Sequence, residues 1–329
     1  CATCHGEPLR HGRYQQWELS GHANFELAIA ESTSSSCARC HTAQGFLAWI
    51  KQPDLTKNLQ GKSGNATADE LKALGLTPEM VQPQTCAVCH DPHDVGTTTG
   101  EPTNARVRIS GDTAMLPSGF QAVGVGRGAL CITCHNTRNG ARNDALAIPA
   151  DQLDRAPHTA AQGDVLMGEN AYFVAAGARS PHSYIADSCA TCHMELTPPP
   201  AEFSYNLAGT NHAFKASLKT CAQCHGAFDG GTLQKATHTR LVALEAALRV
   251  AIEKEIAAQT KAGNTVVLVG RGAGGADVVI TAASTVSVPS LVETGGRQGM
   301  NITVGGTTYS NVRLASHTAV KNAGGIATG

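Results

Sequence analysis

The chain has 329 residues, 42% of them hydrophobic but only 4% aromatic, with a formal net charge of −1 and a pI near 7. That balance leaves no basic footprint for nucleic acid, and no stretch approaches the ~20 apolar residues of a membrane span. Phe, Tyr and Trp are the largest apolar units a core can use, so a chain of this length needs planar apolar bulk from another source.

In chain order, the sequence opens at Cys1 without a charged n-region or apolar h-region, so any signal peptide is expected to be already removed. Cys1, Cys4 and His5 form a C-x-x-C-H run. A short helix is expected after His22, through Phe25, Leu27 and Ile29, and a second run follows at Cys37, Cys40 and His41. Thr67 with Glu70 three residues on reads as a capping box, with Gly75 as the helix stop. The remaining runs are Cys86/Cys89/His90, Cys131/Cys134/His135, Cys189/Cys192/His193 and Cys221/Cys224/His225. Segments 96–128 and 197–212 are rich in Gly, Pro and Thr and read as loops. From Thr237 to about Gly263, Leu241, Leu244, Leu248, Ile252 and Ile256 recur at helical spacing, with Glu245 and Arg249 as a surface i,i+4 pair. Short β-rich runs follow at Thr265–Val269, Asp277–Ala282, Thr285–Val288 and Met300–Val304.

All 12 cysteines are therefore used in C-x-x-C-H, the attachment signature of c-type haem. Two thiols separated by two residues can both form thioethers to one porphyrin, and the next residue then lies under the ring, where its imidazole ligates iron. Zinc ribbons do not require a His behind every pair, and a thioredoxin-like motif would stand singly beside a βαβ unit. A disulfide within so short a spacing would close a tiny, strained loop. Six covalent haem c groups are the expectation. Because haem c is attached outside the cytoplasmic membrane, the expected location is extracellular or on the cell surface, with the periplasm as the alternative.

Of the 14 His residues, six stand behind motifs, leaving His11, His22, His93, His158, His182, His212, His238 and His317. Six low-spin irons need six distal ligands, so bis-His ligation throughout is expected, with two to spare. His22, His182 and His212 lie just upstream of motifs. His93 is too close to His90 to share its iron and would ligate another. His158 opens an amphipathic stretch, His238 begins the long helix near its buried face, and His11 follows the first motif. These seven are the distal candidates; His317, in the β-rich tail, reads as structural. Met ligation from Met80, Met115, Met167 or Met300 is the less expected route given the surplus of His.

The runs Trp17-x-x-Ser20-Gly21-His22, Cys37-Ala-Arg-Cys-His41, Cys86-Ala-Val-Cys-His90-Asp-Pro-His93 and Cys189-Ala-Thr-Cys-His193-Met resemble the multihaem c-type cytochromes of metal-respiring bacteria. The count of six is similar to that of extracellular cytochrome filaments, or nanowires. The resemblance covers about residues 1–235. It implies stacked haems and a head-to-tail homopolymer in which a His near one subunit's start ligates the next subunit's haem, a role His11 could match. Redox partner proteins and external electron acceptors are implied as well.

The expected fold is loop-rich, with short α-helices organised around six c-type haems in residues 1–237, followed by a haem-free α+β module over 238–329. One haem per forty residues is too little protein to isolate each cofactor, so the haems must be neighbours. The expected function is an electron conduit without a catalytic site. A reductase of nitrogen or sulfur oxyanions, or a monomeric periplasmic shuttle, are the alternatives.

Overall fold

The structure, a computed structural model, describes residues 12–91, 107–138, 160–170, 177–197, 209–227, 229–270, 276–294 and 297–314. The chain divides into two compact units, Cys1–Leu146 with Pro157–Phe228, and Ala147–Ala156 with Asp229–Gly329.

The first unit is a succession of short helices, and each described C-x-x-C-H motif lies on one. Helix α1 (Arg13–Glu18) leads into a 3₁₀ turn at Gly21–Ala23 and α2 (Phe25–Glu31). Helix α3 (Ser35–His41) carries the second motif, and α4 (Ala43–Trp49) packs against it. Helix α5 (Ala68–Ala73) starts at the full capping box of Thr67 and Glu70. The third, fourth and fifth motifs lie on α6 (Cys86–Cys89), α7 (Gly128–Cys134) and α9 (Cys189–His193), with α8 (Gln162–Met167) packed against α7. The last motif ends α10 (Leu218–His225). Helical winding puts residues i and i+3 on one face, so both thiols of a pair could reach one porphyrin edge.

Two apolar clusters hold this unit. Phe46, Trp49, Leu59, Leu71 and Leu76 centre one, and Leu116, Val125, Ala129 and Ile132 the other. Helices α9 and α10 bury no residue at all. The segment 107–127 is loop, with isolated bridges from Val107 to His90 and between Gly111 and Gly126, whereas 197–212 is not wholly so. There β1 (Leu196–Thr197) and β2 (Gly209–Thr210) pair antiparallel.

The second unit is helix α11 (Gly230–Lys261) and one antiparallel sheet. Its strands are β3 (Val266–Gly270), β4 (Val278–Ile280), β5 (Val286–Thr294), β6 (Arg297–Val304) and β7 (Thr307–Leu314), in the order β4-β3-β7-β6-β5. The core is Ile256 against Val266, Leu268, Ile280, Ile302 and Val312. Helix α11 begins earlier than its apolar periodicity suggests, because Asp229 caps it by accepting the Gly231 N–H at 3.0 Å. Residue 237, the expected boundary, is therefore inside the helix. Only its C-terminal half meets the sheet. Ile256 is buried, while Leu241 and Leu244 are 58% and 65% exposed, and Glu245 and Arg249 approach at 3.9 Å. His238, expected near the buried face, is exposed. Among the described residues no helix is long and apolar enough to cross a membrane.

Candidate functional site

Among the described residues of the first unit, three pairs of imidazoles lie close together, and each joins a motif His to a His outside any motif. His22 and His135 have ring centroids 6.2 Å apart, His90 and His212 6.2 Å, and His182 and His225 6.0 Å. Two metal–nitrogen bonds of about 2 Å, plus roughly 1 Å from each nitrogen to its ring centre, put the rings of a bis-His iron about 6 Å apart. Rings in edge contact also span 4.5–7 Å, so the spacing alone admits an iron between the rings; what singles these pairs out is that each joins a motif His to a His outside any motif.

Local structure aims these histidines. Ser20 accepts the His22 N–H at 3.2 Å and donates to the Trp17 carbonyl at 2.7 Å, fixing the 3₁₀ turn that presents His22. Trp17 is itself tied down, its indole donating to the Gln84 carbonyl at 2.7 Å just ahead of the third motif. Ser180 repeats the device, accepting the His182 N–H at 3.3 Å at the head of the 3₁₀ turn Pro181–Tyr184. This Ser-x-His pattern, shared by both turns, is visible in the sequence. His212 is held differently. Its N–H donates to Gln16 Oε1 at 3.0 Å, and its Nδ1 lies 2.9 Å from the Thr210 carbonyl. A carbonyl only accepts, so Nδ1 carries the proton and Nε2 is left bare for a metal. His193 is arranged in the same way, its Nδ1 3.1 Å from the Phe214 carbonyl.

Protonation favours ligation too. Burial, with His135 close by, pushes His22 down to about 4, and burial pushes His212 down to about 4. His41 and His135 are lowered by burial as well. A neutral imidazole is the form that binds metal.

The thiols bring motifs together. The thiols of Cys40 and Cys134 lie close together, as do those of Cys131 and Cys189, so the second, fourth and fifth motifs adjoin. Cys192 faces Cys221 and Cys224, which links the fifth and sixth. Close approach of α7 to α9 needs Gly128, where a Cβ would run into Ser188. Arg127 clamps the same seam, its N–H and guanidinium each donating to Asp187 at 2.7 Å. Among the described residues every cysteine is free, and Cys37, Cys86, Cys131, Cys189 and Cys221 are all half-buried rather than sealed in a core.

Cys1, Cys4, His5, His11, His93, His158 and His317 lie outside the described residues. His238, on α11, belongs to the other unit. Among the described residues no three His, Cys, Asp or Glu side chains gather as a bare metal ion would require. Facing His pairs suit instead an iron whose four other ligands arrive with a porphyrin.

Phe214 has no counterpart in the sequence expectations. Its ring meets His22 edge-on at 4.5 Å and His212 at 6.1 Å, while its backbone holds φ 56°, in the left-handed region that bulky residues avoid. Aromatic edge contacts are worth about 0.5–1.5 kcal/mol each, and such backbone strain costs about 1–3 kcal/mol. Replacing Phe214 by Ala therefore lowers holoprotein stability by about 1–3 kcal/mol. Phe214→Gly, which relieves the strain, is expected to lose less than Phe214→Ala in thermal unfolding; the reverse order would refute the strain account.

Buried Asp164 ties the chain after His135 to α8. It accepts the Thr137 N–H at 2.9 Å, the Thr137 hydroxyl at 2.7 Å and the Asn170 amide at 2.7 Å. Asp164→Ala strands these donors and is expected to cost about 3 kcal/mol in denaturant unfolding. A loss below about 1 kcal/mol would show that water replaces the carboxylate.

Comparison with protein-family models, with curated proteins and with solved structures returned no match.

Proposed function

We propose that this chain is a multihaem c-type cytochrome that carries electrons along closely packed bis-His haems. The observation that carries the reading is the set of three facing His pairs at 6.0–6.2 Å, each containing one motif His. Bound haem iron supplies reversible one-electron transfer. The chain's own contribution would be to hold two imidazoles on one iron at each of the three described pairs, leaving no open position there, and to crowd the attachment thiols so that electrons could pass between neighbours. Filled axial positions favour a carrier over an oxyanion reductase, which keeps one position open for substrate. Intact mass and a pyridine haemochrome assay test the reading: six covalent haems per chain, with a low-spin spectrum unresponsive to carbon monoxide, are expected. Fewer haems in fully matured protein, or a high-spin component, would overturn it.

The location that goes with this reading is extracellular or on the cell surface, with external electron acceptors. Assembly as a head-to-tail homopolymer rests on the resemblance to filament cytochromes and on His11 as the ligand donated to the next subunit. His11→Ala is then expected to shorten particles in electron micrographs and to create a high-spin haem. Unchanged length and spin state would refute that assembly.

A further inference from the structure

Two arginines beside the second and fourth motifs form no ion pair among the described residues. Arg39 lies between Cys37 and Cys40, is only 7% exposed, and has its Cζ 5.1 Å from the centre of the Trp49 ring. Its Nε is buried and bonded to nothing. Arg138, three residues beyond His135, approaches from the other side. It donates to the Ser36 carbonyl at 3.3 Å and reaches the Cys37 sulfur at 3.7 Å, and its Nε too is buried without a partner. The groups facing Arg39 are Arg138 itself and the thiols of Cys37, Cys40 and Cys134. The ion pairs among the described residues involve Lys62, Arg108, Arg127 and Arg249, and neither of these two.

Guanidinium groups stay protonated in proteins, so this seam holds two like charges, Arg39 buried and Arg138 half-buried. Without a nearby anion that is strongly unfavourable. A haem held by these cysteines would present its thioether edge here, with its own propionates on the opposite edge. What does change at this spot is the iron charge, which falls by one unit on reduction. A buried cation favours the reduced state, and cluster or haem potentials respond to local charge and burial.

We propose that Arg39 and Arg138 raise the reduction potentials of the haems attached at Cys37/Cys40 and Cys131/Cys134, making this pair the site where electrons dwell in the chain of haems. The inference rests on the haem reading above. Spectroelectrochemical titration of matured protein tests it. In Arg39→Gln and in Arg138→Gln, two of the six haems are expected to titrate at lower potential, their reduced-to-oxidised ratio at fixed potential falling at least tenfold, which for one electron is about 59 mV. Arg39→Lys, which keeps the charge, is expected to stay near the parent curve, a rescue that a purely structural role would not produce. If Arg39→Gln fails to mature, Arg138→Gln, at a half-buried position, reads the same effect. Six attached haems with an unchanged titration curve in Arg138→Gln would overturn the proposal. Loss of the haem reading itself would register separately, as fewer than six haems in the parent protein.

Discussion

Protein produced without haem attachment is expected to keep its second unit folded while losing protection across residues 177–227 of the first. The two units differ in what holds them. The α11–sheet unit has a continuous core of Ile256, Val266, Leu268, Ile280, Ile302 and Val312, with five strands satisfying one another's backbone groups. Helices α9 and α10 bury nothing, and Leu196, Tyr184 and Leu218 are 75%, 71% and 54% exposed. Helices this short are marginal in water without tertiary packing. A porphyrin is larger than a Trp side chain, which buries up to about 250 Å², so at about 25 cal/mol/Å² each haem contributes about 6 kcal/mol or more. On the haem reading, removing the two haems at α9 and α10 therefore takes away about 12 kcal/mol or more, comparable to the whole stability of a typical domain, about 5–15 kcal/mol. Hydrogen exchange read by mass spectrometry checks this: amides of 218–225 should exchange at unfolded rates in apoprotein, while those of β3, β6 and β7 stay protected. Strong protection of α10 in apoprotein would show that the chain folds without its cofactors.

The same contrast explains what the sequence revealed. Local signals were readable because they act within a turn or two. The Thr67 capping box, the helix after Asn24 and the heptad-like stripe of α11 all stand where their side chains demand. Strand β7 (Thr307–Leu314) was missed, although Gly305-Gly306 announces it. Both glycines hold positive φ, 57° and 86°, in a two-residue hairpin turn between Val304 and Thr307, which is what such a pair is suited to. The exposed half of α11 misled the reading for a different reason: periodicity reports an apolar face, and only tertiary structure says how far a partner extends along it. The same limit governs the site. All six motifs were legible one by one, but position beside a motif did not predict partnership. His22 precedes the second motif and faces the fourth, His182 precedes the fifth and faces the sixth, and His212 precedes the sixth and faces the third. Arg39, Arg138 and Phe214 carry no sequence signal at all, because their significance lies in what surrounds them.

Replacing any one of His22, His182 and His212 by Ala is expected to turn one haem in six from low-spin to high-spin. Each supplies the only non-motif imidazole of its facing pair. Alanine would leave an open position beside the iron: the ring next to His22 and His212 is the apolar Phe214, and His182 lines an open cleft with Val165, Leu166, Gln162 and Ser180. One equivalent of carbon monoxide should therefore bind each reduced variant, against none for the parent. Because the three irons are separate, the effects should add, as for independent sites, and the triple variant should bind three equivalents. Ser20→Ala and Ser180→Ala probe the next layer outward. They remove only the hydroxyl that fixes each 3₁₀ turn, so the haem stays low-spin, at a stability cost of about 1 kcal/mol. A fully low-spin spectrum in His22→Ala, His182→Ala or His212→Ala would break that pair's assignment, and the histidine would then be a packing residue beside an iron ligated from elsewhere.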